Sequence, residues 1–97
     1  MTPEHTARIT WSEEQVRRGL PAITQTADPS WLESDARDAD GWTLMCRFDT
    51  SPQQQGNPSI AHVRFLMDSA PHVLRPGTCL MLFEKWSTHY ARVEIID

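Results

Sequence analysis

The sequence predicts an all-β fold: a small antiparallel β-barrel of about six strands, with a long loop after the first. Three observations carry this reading. Several short stretches alternate apolar and polar residues with period two, the signature of a half-buried strand. A Pro-Gly pair precedes two apolar runs separated by a short polar break, which is the pattern of a turn feeding a hairpin. No stretch sustains a helical apolar period for more than about two turns.

Each strand follows from its own pattern. Ala7, Ile9 and Trp11 alternate along the first. In the second, Trp42, Leu44, Cys46 and Phe48 take the inner side, with Thr43, Arg47 and Asp49 outside. Ile60–Leu66 places Ala61, Val63 and Phe65 inward and His62 and Arg64 outward, and Tyr90–Ile96 places Ala91, Val93 and Ile95 inward. Thr78–Glu84 is apolar on both faces, as expected of a strand with neighbours on each side or with a loop over it. Before it, Pro76 fixes φ and Gly77 supplies a positive φ, so a type II turn is expected. Lys85–Thr88 then serves as the hairpin tip, in a register that puts Leu80 and Leu82 on the same side as Ala91, Val93 and Ile95.

Between these strands the signals are weaker. Ser12 reads as an N-cap, with Gln15 completing a capping box, and Gly19 and Pro21 stop the helix within two turns. Asp28–Leu32 reads as a second short helical turn inside the long loop, followed by the acidic stretch Glu33–Asp40. Ser51–Pro58 reads as a polar, flexible connection.

The chain of 97 residues reads as a single domain over 1–97. Its 39% hydrophobic content is modest, and four Trp and three Phe supply much of the core area. The net charge of -4, from 13 acidic and 9 basic residues, disfavours a nucleic-acid backbone as partner. Eight of those basic residues are Arg, a usage that suggests a GC-rich bacterial genome. The first ten residues lack the apolar core of a signal peptide, and no window has the ~18 apolar residues of a membrane span. A cytoplasmic protein with two reduced cysteines, Cys46 and Cys79, is expected.

The C-terminal third carries a family likeness. Ala61–Leu66, Ala70-Pro71-His72, Leu74-Arg75-Pro76-Gly77 and Leu80–Glu84, with a closing strand, resemble the C-terminal β-barrel of elongation factor Tu. They resemble more closely short bacterial proteins made of little more than that barrel. Ala7–Thr10 followed by Ser12-Glu13-Glu14 fits the same first strand and acidic turn, and Gly19-Leu20-Pro21 falls where the family has a long loop. The resemblance implies the barrel, and contact with tRNA as one function. It implies no GTPase, since no G-x-x-x-x-G-K-[ST] stretch is present.

Candidate chemistry is sparse. His5, His62, His72 and His89 lack metal-ligand spacing, so neither a metal nor a cofactor is expected. Cys46 falls on the core side, where a thiol acts as a small hydrophobe; Cys79 has the opposite parity from Leu80 and is more accessible. No nucleophile elbow exists for a serine enzyme. What remains is a surface: Trp31, Trp86, His89 and Tyr90 fall in loops or at outward positions, with Asp35 and Asp38 in the acidic stretch. Exposed aromatics near charge are what protein interfaces use as anchors. The leading expectation is therefore a non-catalytic module that binds another protein with a basic face, of the immunity or inhibitor type. The alternatives are a small-ligand or enzyme site on the rim near Cys79 and His89, and the RNA contact implied by the resemblance.

Overall fold

In a computed structural model, residues 4–33, 41–67, 74–83 and 89–97 are described. Six strands close into an antiparallel barrel: β1 (His5–Trp11), β2 (Gln25–Leu32), β3 (Trp42–Arg47), β4 (Ser59–Phe65), β5 (Cys79–Phe83) and β6 (His89–Ile95), in the order β1-β4-β3-β2-β5-β6. Two short helices, α1 (Glu13–Arg18) and α2 (Pro52–Gln55), sit in the connections. Closure gives each described strand two neighbours, which leaves little free sheet edge for strand-on-strand association.

The alternation read from the sequence is the alternation that fills the barrel. Ala7, Ile9 and Trp11, Leu44 and Cys46, Ala61, Val63 and Phe65, and Ala91, Val93 and Ile95 are all buried in one core. The β5–β6 register pairs Leu80 with Val93 and Leu82 with Ala91, as the two apolar patterns require. At the Pro76-Gly77 turn, Gly77 has φ +93° and the Thr78 N–H donates to the Arg75 carbonyl at 2.9 Å. A side chain at that φ would be strained, so glycine is needed there.

The segment expected to be a long loop holds more order than its sequence suggests. Ser12 caps α1, accepting from the Gln15 N–H at 3.2 Å, but only half of a capping box forms. The Gln15 amide donates forward to the Gly19 carbonyl, and the Ser12 N–H is taken by the Tyr90 carbonyl at 2.9 Å. The expected helical turn at Asp28–Leu32 is instead the end of strand β2, lying between β3 and β5. Asp, Pro and Ser are poor strand formers, and the side of β2 that faces the core carries Thr26, Asp28 and Ser30, so no apolar alternation marks it. Hydrogen bonds compensate: the Ser30 hydroxyl donates to the Trp42 carbonyl at 2.7 Å, and Asp28 accepts from Tyr90. The β2–β5 ladder pairs Ser30–Leu32 and goes no further toward Pro29, which has no N–H to donate.

The polar connection Ser51–Pro58 is likewise ordered. Pro52 is buried at the start of α2, and Gln55 bridges the loop by donating to the Thr50 and Ile60 carbonyls and accepting from the Ile60 N–H. Asn57 reaches Trp11, whose backbone N–H donates to Asn57 Oδ1 at 2.9 Å. On the outer face, Arg47 grips Glu4 through two nitrogens and reaches Asp49, which also contacts His62 Nε2 at 2.9 Å. These exposed contacts lace β1, β4 and β3 together and hold the Glu4 and Asp49 carboxyls below the usual carboxylate range, chiefly through hydrogen bonds from Arg47 and His62 respectively. No helix among the described residues is long and apolar enough to cross a membrane.

Candidate functional site

Antiparallel pairing decides which candidate residues can act together. β2 ends at Leu32 and β3 starts at Trp42, next to the start of β5, so the boundaries of the acidic stretch lie at one end of the barrel. β5 ends at Phe83 and β6 starts at His89, at the opposite end. Asp35, Asp38 and Trp86 lie outside the described residues. The strand ends that lead into their segments are nevertheless on opposite rims.

The rim site considered near Cys79 and His89 is not assembled. Cys79 pairs with Glu94, and His89 with Phe83, four residues further along β5. At about 3.3 Å per residue that is roughly 13 Å of strand. Cys79 instead lies beside Arg92, whose Nη2 donates to its Sγ at 3.0 Å while Nε holds Glu33 at 2.6 Å. The same arginine keeps the Glu33 carboxyl below its ordinary value. Cys46 is enclosed in the core, and burial pushes its thiol up to about 12. Native protein treated with iodoacetamide at neutral pH is therefore expected to be alkylated at Cys79 only. Cys46 should react after denaturation, and a peptide map showing native modification of Cys46 would contradict this placement.

Tyr90 is not where parity puts it. A register shift between Leu82 and Phe83 leaves Tyr90 as an extra residue opposite β5. A bulge of this kind re-aims side chains. The Tyr90 ring stacks on Trp11 at 6.0 Å and its hydroxyl donates to Asp28 at 2.5 Å. This contact ties β6 to β2 beyond Pro29, where the β2–β5 ladder has stopped. Tyr90 is thereby part of the fold at the barrel mouth and is half-buried there.

Trp31 and His89 do share a surface, through Phe83. Trp31 is on strand β2, not in a loop, and points outward opposite Met81. Its ring meets Phe83 edge-on, with centroids 4.9 Å apart and planes at 88°. Phe83 in turn contacts exposed His89 edge-on at 6.2 Å. Beneath Trp31 lies Gly41, where an added Cβ would sit 2.5 Å from the ring. The outside of β2, β5 and β6 thus carries an aromatic row: Trp31 half-buried, Phe83 nearly covered, His89 exposed. The signal for Phe83 was present in the sequence, since its strand is apolar on both faces.

Among the described residues, no three His, Cys, Asp or Glu side chains converge as a metal site would require. The buried side-chain nitrogens and oxygens of those residues all have hydrogen-bond partners. The fold and its surface define a closed six-stranded antiparallel barrel with an aromatic row on its outer face. No family model matches the chain. No curated protein and no solved structure matches it either.

Proposed function

We propose that this protein is a non-catalytic protein-binding module and that its contact surface is the row Trp31–Phe83–His89. One observation carries the reading: a tryptophan is fixed on the outside of the sheet, seated on Gly41 and braced by Phe83 at 4.9 Å. A large aromatic already locked in place loses little side-chain freedom on binding, which is what an interface anchor needs. Trp31 also lies two residues before the start of the acidic stretch Glu33–Asp40, so a partner with a basic face suits both the anchor and the net charge of -4. The elongation factor Tu-like barrel, a bacterial origin, a cytoplasmic location and an immunity or inhibitor role belong to this proposal.

The test is a paired affinity capture from the native cytosol with wild-type, Trp31→Ala and His89→Ala proteins, followed by binding measurements on the captured partner. Trp31→Ala is expected to weaken binding by about 2 kcal/mol or more, roughly thirtyfold, and His89→Ala by less. A partner bound equally well by all three proteins would place the interface elsewhere and remove the proposal.

A further inference from the structure

Gln25–Pro29, the start of β2, is held in the barrel wall by few interactions. None of its residues is buried, whereas any stretch of the same length in the other described strands includes at least one that is. Its backbone is bonded on the β3 side. The Phe48 N–H donates to the Thr24 carbonyl, so by antiparallel alternation Thr26 and Asp28 exchange hydrogen bonds with Cys46 and Leu44. Gln25, Ala27 and Pro29 turn their backbone groups the other way. On that side Pro29 has no N–H to donate, and the β5 ladder among the described residues pairs only Ser30–Leu32. A side-chain bond joins the stretch to β6: the Tyr90 hydroxyl donates to Asp28 at 2.5 Å. Both flanks are pinned. The Gln53 N–H donates to the Pro21 carbonyl at 3.0 Å before the stretch, and buried Ser30 donates to the Trp42 carbonyl at 2.7 Å after it.

We infer that Gln25–Pro29 is a strap across the barrel mouth, latched by the Tyr90–Asp28 hydrogen bond, which swings away from β3 and back while the other five strands stay closed. Local opening is favoured where the moving piece carries little buried apolar area and breaks few hydrogen bonds. Releasing this strap breaks the bonds of Thr26 and Asp28 to β3 and the Tyr90 latch, and it takes no core side chain of β2 into water. The pins at Pro21 and Ser30 keep the moving piece short. The open form presents the β3 edge at Leu44 and Cys46, which the closed barrel keeps paired. The strap does not rest on the protein-binding proposal.

Amide hydrogen exchange of the whole chain, read by NMR with and without low urea, tests this. After correction for intrinsic rates, Thr26 and Asp28 are expected to exchange about tenfold or more faster than Val63 and Val93, which exchange through global unfolding. Urea should speed Val63 and Val93 and leave Thr26 and Asp28 nearly unchanged, because releasing the strap exposes little surface. Tyr90→Phe keeps the ring on Trp11 and removes the hydroxyl. The latch is broken in the open and unfolded forms alike, so both pairs of amides should speed up by about tenfold. Ile9→Val removes one methyl from β1, across the barrel from β2. It should speed Val63 and Val93 roughly fivefold and leave Thr26 and Asp28 as they were. Thr26 and Asp28 exchanging at the rate of Val63 and Val93, following them in urea or in Ile9→Val, or unmoved by Tyr90→Phe, would each overturn the inference.

Discussion

Trp11→Ala is expected to cost about 3–5 kcal/mol, the range for removing a large buried aromatic. Few other side chains in this barrel are engaged in so many ways. The ring is 4% exposed and stacks on Phe48 at 6.3 Å and on Tyr90 at 6.0 Å. Its indole N–H donates to Ser59 Oγ at 2.9 Å, and its backbone N–H is held by Asn57. Truncation leaves a void where β1, β4 and β6 meet the barrel mouth and strips Tyr90 of the surface that orients it toward Asp28. Stabilities of 5–15 kcal/mol are usual for a domain, so a loss of this size is a large fraction of the whole. In urea, with a slope of about 1.5–2 kcal/mol/M, the midpoint followed by circular dichroism should fall by about 2 M.

Trp11→Phe separates packing from hydrogen bonding. Phe keeps most of the ring contact and loses the indole donor. Ser59 retains its own bond to the Gly56 carbonyl at 2.6 Å, so its hydroxyl is not stranded. The cost should be about 1–2 kcal/mol. If Trp11→Ala lowered stability by less than 1 kcal/mol, Trp11 would not be the keystone of this end of the barrel.

The same residues show why some of the fold was legible in the sequence and some was not. β1, β3, β4 and β6 each put three or more apolar side chains on one side at period two, and burial follows that period directly. β2 has Thr26, Asp28 and Ser30 on that side, so its period is invisible to hydrophobicity. Its place is set by partners distant in sequence: the Trp42 carbonyl for Ser30 and the Tyr90 hydroxyl for Asp28. Tyr90 departs from its expected outward place for a related reason, because an extra residue opposite β5 breaks the parity count and nothing local announces it. Trp31 stands out in the sequence as an aromatic at a loop or outward position. Its support came from Phe83 and Gly41, which meet it only once β2, β3 and β5 are side by side.

Gly41→Ala tests that support most directly. The φ of Gly41 is open to any residue, so the requirement for glycine is one of space. A methyl group there would lie 2.5 Å from Trp31 Cζ2 and 2.7 Å from Cε2 and Cη2, well inside van der Waals contact. Either the indole leaves its seat and gives up the edge-on contact with Phe83, or β3 moves away from β2. Overpacking of this kind costs about 1–3 kcal/mol. With Trp31 replaced by Ala the three atoms nearest that methyl group are gone, and Gly41→Ala should then cost clearly less. The double-mutant cycle is therefore expected to show a coupling of about 1–2 kcal/mol. Partner affinity, on the proposed reading, should fall in Gly41→Ala although every aromatic of the row is still present, because the anchor is no longer held in its bound orientation. Additive stabilities across the cycle would mean that Trp31 does not rest on Gly41. An unchanged affinity with the expected coupling would mean that the seat is structural and the interface does not use it.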